Sequence, residues 1–481
     1  MTKFLPTPVN ALMRDAVTGR VSRRDVVKRG TALGLGSAMM GTLLRAQSIG
    51  AQATPGASPV AEKPAGWSIT IPEGLRTDLK GKKISVVLGS DGPGAPFDQA
   101  CCDAFSKATG IEVNYIKGAE LTDDRLQFYQ QTFSAESPDI DAAQIDVIWP
   151  GILAIHAVDL TDVYKSQGTT SFQRIVDNNT VDGVLVGIPW FTDAGILYYR
   201  TDLLEKYGFS APPKTWQELT DQASKILDGE KGSNSAFTGY TFQGKAYEGL
   251  TCNSLEWQYS YGGGTIVDEN AKVTVNNDQV KAALELARSW VNGISPQAVT
   301  GYAEEDARTV WQGGNSAFMR NWPYAYSLGA ADDSVIKGKF DVTQLPAGEG
   351  DNATSAACLG GWQMFVSKYS KEQDAAKEWA KFITSKELQK ARAIERSNLP
   401  TIGDLYKDQD ILAANPFFGQ LFDTFESGSV ARPSTPTADL YNEVSIAYFT
   451  AVNGILSGQK TDIGATLSDL EGQISDILKD L

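Results

Sequence analysis

Apolar residues at the start of the folded part alternate between short continuous runs and helical spacing. Residues 84–88 form an apolar run that ends in a glycine-rich loop, as buried strands do. Residues 97–108 then carry apolar side chains at helical spacing, and residues 111–115 alternate as a strand. A second unit repeats this order, with a helix over residues 123–134 and a strand over residues 145–149. Strands that alternate with helices predict an α/β domain with a mainly parallel sheet.

The middle of the chain contains a strand-like stretch that is interrupted at its centre. Residues 184–200 form two strand-like halves around residues 189–193, and this break favours a crossing point between two lobes. Helices are then predicted over residues 202–207, 216–227, 248–261, 277–292, 304–312, 372–383, 438–456 and 463–478. Extended segments are predicted over residues 240–243, 265–267, 273–275, 315–319, 340–345 and 361–367. No repeat of about 20 to 50 residues is present, which argues against solenoids and propellers.

The first eighty residues differ in character from the rest. Residues 22–28 contain the adjacent Arg23 and Arg24, a weakly apolar run follows over residues 31–44, and Ala-Gln-Ala ends at residue 53. These parts together predict a twin-arginine signal peptide over residues 1–53, removed on export to the periplasm or the cell-envelope exterior. An amphipathic surface helix is the alternative. Residues 54–80 are rich in Pro, Ala, Gly and Ser at their start and predict a flexible linker.

Charge and size narrow the class of protein. The chain has 481 residues, which exceeds what one hydrophobic core usually supports, so two or three domains are expected. Its net charge is -15, and without the six net positive charges of residues 1–53 the remainder carries -21. So acidic a body, without a basic stripe, argues against nucleic acid and anionic membranes as partners.

Catalytic and cofactor motifs are missing from the sequence. His156 is the one histidine, it lies in an apolar stretch, and a packed or surface role is expected for it. Nucleophile elbows, metal-ligand spacings and phosphate-binding loops do not occur, so we expect no catalytic residues, no metal and no cofactor. Two carboxylates at a suitable separation would still suffice for a glycosidase, so that alternative stays open. The cysteines 101, 102, 252 and 358 are expected to be buried small hydrophobes, with a Cys252–Cys358 bridge as the alternative.

Aromatic residues and carboxylates occur together where loops follow strands. The groupings are Asp146 with Trp149; Trp190, Phe191 and Asp193; Arg320, Trp322 and Tyr324; and Gly361 with Trp362. Sugars present hydroxyls to carboxylates and arginines, and C–H faces to aromatic rings, so this mixture predicts a sugar pocket. The alternative for Trp149 and Trp190 is packing in the core. The alternative for Asp193 is that it caps a turn, and the alternative for Asp146 is that it pairs with a buried arginine.

Longer motifs carry a resemblance to a known family. The stretch IPWFTDAGILYYRTDLLEKYGF at 188–209, followed by PPKTWQEL at 212–219, resembles the signature of family 1 extracellular solute-binding proteins of ABC sugar importers. Further matches are GGNSAFMRNWPY at 313–324, GGWQMFVS at 360–367 and NLPT at 398–401. The likeness covers roughly residues 82–480 and is most similar to the trehalose/maltose-binding branch.

The resemblance implies an α/β, two-lobed periplasmic-binding-protein fold of type II, maltose-binding-like, with a hinge between the lobes. Lobe one would be residues 81–190 plus 356–392, and lobe two residues 194–350 plus 396–481. Such a protein captures a small sugar, for example trehalose or maltose, and delivers it as a monomer to an ABC transporter membrane permease without catalysis. A retaining or inverting glycoside hydrolase and a binder of a non-sugar solute such as a polyamine remain alternatives.

The resemblance also implies the substrate-binding residues, position by position. They are Asp146, Phe191, Asp193, Trp322, Gly361, Trp362, Arg432 and Arg125. Phe191 departs from the tyrosine expected there, so a hydroxyl contact to the sugar would be lost. Residues 135–144 are longer than usual before Asp146, which is expected to alter one wall of the cleft.

Overall fold

The computed structural model describes residues 67, 69–89, 94–426 and 428–481. The predicted signal peptide and the first part of the predicted linker lie outside these residues. Among the residues described, no helix combines the length and the apolar character needed to cross a membrane.

Strands and helices alternate along the described chain much as the sequence pattern predicts. The strands are β1 (Lys83–Leu88), β2 (Glu112–Lys117), β3 (Ala142–Asp146), β4 (Thr180–Val181), β5 (Val184–Leu185), β6 (Gly187–Ala194), β7 (Ile196–Arg200), β8 (Thr238–Thr241), β9 (Ser316–Asn321), β10 (Phe340–Thr343), β11 (Ala357–Val366), β12 (Leu399–Pro400) and β13 (Ser429–Val430). The helices are α1 (Ala95–Thr109), α2 (Thr122–Ser134), α3 (Pro150–Leu153), α4 (Thr161–Ser166), α5 (Gln173–Asn178), α6 (Thr201–Lys206), α7 (Trp216–Glu230), α8 (Glu248–Ser260), α9 (Asp278–Trp290), α10 (Glu304–Gln312), α11 (Ala325–Gly329), α12 (Gln373–Ile383), α13 (Lys386–Arg396), α14 (Gln409–Ala414), α15 (Phe417–Gln420), α16 (Phe422–Glu426), α17 (Ser434–Thr437), α18 (Tyr441–Leu456) and α19 (Ile463–Ile477).

The first sheet has the strand order β12-β6-β11-β3-β1-β2, and β13 joins it along β11. Strands β2, β1 and β3 run parallel, which agrees with the β-α-β pattern at the start of the folded part. Strand β11 returns antiparallel between β3 and β6. The core of this sheet contains residues such as Val86, Ile145 and Trp379.

The second sheet has the order β10-β7-β9-β8 and a hydrophobic core of its own, in which Trp216, Trp257 and Trp290 are fully buried. The chain passes from the first sheet to the second at Gly195, between β6 and β7. A Cβ on Gly195 would lie 2.0 Å from Glu256 Oε1, so only glycine fits there. The passage between the sheets is therefore at Gly195, whereas residues 189–193, where the break was predicted, lie within β6.

Some local predictions needed correction. The strand predicted over residues 145–149 ends at Asp146, because Asp146 Oδ1 accepts the Ile148 N–H at 3.2 Å and its carbonyl accepts the Trp149 N–H at 3.0 Å. These bonds turn the chain into α3. Sequence reasoning also assigned no element to α13, whose N-cap Ser385 accepts the Leu388 N–H.

His156, the four cysteines and Trp216 are packed within the folded structure. His156 Nδ1 lies 2.8 Å from Tyr369 Oη, so the histidine packs against the chain through a hydrogen bond. All four cysteines are buried free thiols. Trp216 begins α7 and is fully buried, as a core residue at a helix start should be.

Candidate functional site

A cleft with about 820 Å³ of space free of protein atoms, part of it open to solvent, lies where residues of the two sheets face each other. From the side of the first sheet it is lined by Glu120, Thr122, Arg125, Asp146, Asp193, Gly360, Gly361 and Trp362. From the side of the second sheet it is lined by Tyr247, Glu248, Gly249, Cys252, Ala303, Glu304, Glu305, Trp322 and Tyr324. Asn398 and Arg432 complete the lining.

Most of the predicted binding residues meet in this cleft. The ones that line it are Asp146, Asp193, Trp322, Gly361, Trp362, Arg432 and Arg125. Phe191 does not line it. Its ring is 2% exposed, lies edge-on to Trp190 with centroids 4.9 Å apart, and contacts the Arg392 guanidinium at 5.2 Å. The ring fills the core of the first sheet, and its contact with a ligand stays a prediction.

Arg432 joins the two sides of the cleft through charge-assisted hydrogen bonds. Its Nη2 donates to Asp146 Oδ1 at 2.9 Å, and its Nη1 donates to Glu248 Oε1 at 2.8 Å. Asp146 ends β3 of the first sheet, whereas Glu248 begins α8, which packs in the second core. All three side chains are at least nine-tenths buried, so water screens their attraction little. Asp146 thus pairs with a buried arginine and also lines the cleft.

Glu248 is the centre of a buried network. Tyr441 Oη donates to its Oε1 at 2.5 Å, and Ser445 Oγ donates to its Oε2 at 2.6 Å. Its backbone N–H donates to Asp123 Oδ2 of α2 at 3.1 Å, which is a second contact between the two sides. Burial raises the pKa of Glu248 from 4.5 to about 7, with Arg432 opposing and Asp123 adding to the shift.

Replacing Glu248 with glutamine should flatten the pH dependence of stability. The folded protein holds a proton on Glu248 up to about pH 7, whereas the unfolded chain releases it near pH 4.5. The stabilising contribution of this proton is therefore present below about pH 4.5 and is lost as the pH rises towards 7. Between about pH 5 and 7, the free energy of unfolding of the wild type should fall by about 2 kcal/mol more than that of Glu248→Gln. Urea unfolding without added ligand measures this difference, and parallel pH profiles for the two proteins would contradict it.

Trp322 presents an aromatic face to the cleft. The guanidinium of Arg320, which is fully buried, stacks on its ring 3.9 Å from the centroid, so the opposite face is the one turned to the cleft. Trp322 Nε1 donates to Glu304 Oε1 at 3.2 Å, and this bond fixes the orientation of the ring. A Cβ on Gly360 would lie 3.1 Å from the Trp322 ring, so glycine at 360 lets the indole approach strand β11.

Trp362 is on β11 and also lines the cleft, in a more enclosed environment than that of Trp322. The Arg125 guanidinium covers its ring 4.6 Å from the centroid, and Trp149 packs edge-on at 5.9 Å. The neighbouring Gly361 has φ +135°, and a Cβ there would lie 2.8 Å from the Phe191 carbonyl oxygen. Glycine is required at 361 for both reasons. Trp149 and Trp190 are in the core, as the alternative for them proposed.

Several residues of the cleft were not identified from the sequence. Glu248 and Glu304 each begin a helix, where an acidic residue is ordinary, so nothing marked them as part of a pocket. Burial raises the pKa of Glu304, while Tyr247 Oη donates to its Oε2 at 2.5 Å. Asn398 was present in the NLPT motif that carried the resemblance, which was the available signal for it.

The arrangement offers hydrogen bonds and one open aromatic face rather than a metal centre. Among the described residues, no group of three or more His, Cys, Asp or Glu side chains is placed to hold a metal ion. The carboxylates of Asp146, Glu248 and Glu304 are engaged by arginine, hydroxyl or indole donors. Such a mixture suits a ligand with many hydroxyl groups and an apolar face.

Comparisons with known proteins give one consistent result. Residues 89–390 match the sequence profile of the family described as bacterial extracellular solute-binding protein. A probable ABC transporter-binding protein of Deinococcus radiodurans is 49% identical over 397 residues, which cover 82% of this chain and 94% of that protein.

Solved structures resemble the fold over the same part of the chain. Maltose-bound MalE3 of T. maritima has a TM-score of 0.77 and 36% sequence identity, and the match covers 82% of this chain and 100% of that chain. An ABC transporter solute-binding protein of Thermotoga lettingae, bound with α-D-tagatose, has a TM-score of 0.73 and 25% identity, with 83% and 100% covered.

Proposed function

The chain belongs to the family of bacterial extracellular solute-binding proteins, and we propose that it captures a disaccharide such as trehalose or maltose for an ABC permease. Its fold is the two-lobed fold of maltose-binding-like periplasmic proteins. The protein is a sugar-binding, non-enzymatic component of a transporter and acts outside the cytoplasm. The disaccharide, the export route and the oligomeric state are the proposed parts.

One observation carries the proposed ligand class. Trp322 turns an indole face, backed by Arg320, into a cleft that Asp146, Asp193 and Arg432 also line. A pyranose ring would place its C–H face on Trp322 and its hydroxyls against these polar groups. The likeness to maltose-bound MalE3 of T. maritima, at 36% identity, supports a disaccharide over a monosaccharide.

Capture would proceed by closure of the lobes around the ligand. We take residues 81–190 plus 356–392 as lobe one, and residues 194–350 plus 396–481 as lobe two. A sugar that contacts Asp146 of lobe one and Trp322 of lobe two binds the closed arrangement more tightly, and this difference in affinity shifts the population towards it. The closed protein, as a monomer, would then present both lobes to the permease. Export would follow the twin-arginine route that residues 1–53 predict.

Titration calorimetry with a sugar panel tests the proposal. Trehalose, maltose, sucrose, glucose and mannitol would be titrated into the purified protein, with the polyamine spermidine as a charged solute. We expect a disaccharide of the panel to bind with a 1:1 stoichiometry and a Kd of about 1 μM or below. Tight binding of spermidine alone would overturn the sugar proposal. A parallel reducing-sugar assay with the disaccharides is expected to stay at background.

A further inference from the structure

Cys252 and Cys358 lie side by side at one wall of the cleft. Cys252 is on α8 and lines the cleft, and Cys358 is on β11, two residues before Gly360. Both are buried free thiols, and contact with Cys358 together with burial raises the pKa of the Cys252 thiol. Both cysteines pack in the hydrophobic core of the second sheet, although β11 itself pairs in the first sheet.

A second contact places the two segments together independently of the sulfurs. Glu256 Oε1 accepts the backbone N–H of Cys358 at 3.0 Å. Glu256 follows Cys252 by four residues on α8, so both side chains lie on the same face of the helix, one turn apart. Glu256 is itself held by a fully buried ion pair with Arg320. The backbone of Cys358 is thus fixed one helical turn from Cys252.

We propose that Cys252 and Cys358 form an intramolecular disulfide that ties α8 to β11. The family acts outside the cytoplasm, where oxidising conditions allow disulfides to persist. Helix α8 carries Glu248 and Gly249 of one cleft wall, and β11 carries Gly361 and Trp362 of the other. The bond therefore anchors the first residues of β11 to α8 within the core of the second sheet, next to the cleft. This inference does not depend on which solute the cleft holds.

The bond forms by thiol–disulfide exchange with a small-molecule disulfide or an oxidised dithiol protein. Cys252 reacts first because it lines the cleft. Its thiolate attacks one sulfur of the oxidant and releases one thiol; the Cys358 thiolate then attacks the Cys252 sulfur and releases the second. The oxidant takes up both electrons, and the two cysteine protons end on the released thiols. The contact with Cys358 and burial raise the pKa of the Cys252 thiol, so the exchange is slow in the folded protein.

Refolding in a glutathione redox buffer tests the pairing, because the oxidant reaches both thiols while the chain is unfolded. The full chain is unfolded in urea, refolded with oxidised and reduced glutathione, alkylated and digested. Mass spectrometry is expected to show a 252–358 cross-link, with Cys101 and Cys102 alkylated. The midpoint of thermal unfolding of the oxidised protein should exceed that of the reduced protein by about 5 °C, because the bond closes a loop of about a hundred residues.

Alanine variants distinguish the reactivity of the Cys252 thiol from that of the Cys358 thiol. Treated in the folded state with oxidised glutathione, Cys358→Ala is expected to accumulate a mixed disulfide at Cys252, whereas Cys252→Ala accumulates none at Cys358. Cys101→Ala serves as the matched control and keeps the cross-link. The proposal is overturned if refolding gives no 252–358 bond, if the bond joins other cysteines, or if the midpoint stays equal or falls on oxidation. Sugar binding by the reduced protein is measured separately. A failure to bind sugar is therefore distinguished from a failure to form the disulfide.

Discussion

The Trp322→Ala variant is expected to bind its sugar about 10- to 100-fold more weakly than the wild type, with little change in stability. The reason is that Trp322 is half-buried at the cleft, with its outer face free for stacking and its inner face on Arg320. Removing the ring takes away the aromatic surface for the sugar and leaves the ion pair between Arg320 and Glu256 in place. Calorimetry gives the change in Kd, and thermal unfolding gives the change in stability.

Tyr259→Ala is the matched control for this loss. Tyr259 is 38% exposed, lies on α8, and does not line the cleft, so its removal should leave the sugar Kd within about twofold. Trp362→Ala makes a useful second comparison, since Trp362 packs on Trp149 and should lose stability as well as affinity. An unchanged Kd for a folded Trp322→Ala protein would remove Trp322 from the binding site.

The Arg320→Met variant should lose about 3 to 5 kcal/mol of unfolding free energy. Arg320 and Glu256 are both fully buried, and Arg320 Nε donates to Glu256 Oε2 at 2.8 Å as part of a bidentate pair. Without the guanidinium, the carboxylate of Glu256 stays in the core with no opposite charge. Urea unfolding at neutral pH measures the loss.

A double variant shows whether the charge or the volume of Arg320 matters. Glu256→Gln in the Arg320→Met background removes the unpaired charge while its amide oxygen still accepts the Cys358 N–H. We expect the double variant to regain most of the lost stability, because apolar or neutral replacements of both partners are tolerated far better than the loss of one. A double variant no more stable than Arg320→Met would show that packing dominates.

The α/β class followed from local patterns in the sequence, whereas the two lobes followed from the family resemblance. The apolar run 84–88 and the helical spacing after it encode β1 and α1 directly, since both depend on residues close in the chain. The antiparallel return of β11 between β3 and β6 did not follow, because it pairs segments more than a hundred residues apart. Strand β3 was misplaced because Val147, Ile148 and Trp149 are apolar yet lie in a turn.

The sequence identified the cleft residues that belong to recognisable motifs. It missed the residues whose place in the cleft depends only on contacts with distant parts of the chain. Asp146 ends β3, Trp322 follows β9, and Trp362 stands in the GGWQMFVS motif of β11, so the sequence marked all three. Glu248 depends on Arg432 and Tyr441, which come almost two hundred residues later, and no local pattern encodes such a contact. Phe191 shows the opposite case, because it stands in a motif but its ring packs in the core of the first sheet.

The arginine that bridges Asp146 and Glu248 has a consequence for synthesis of the chain. Position 432 is translated only after about nine-tenths of the 481 residues have left the decoding centre of the ribosome. Until then, a nascent polypeptide carries two carboxylates that have no counter-charge to neutralise them on burial. The contact through which Arg432 joins the two sides of the cleft therefore forms only late in synthesis, after most of both sheets has been made.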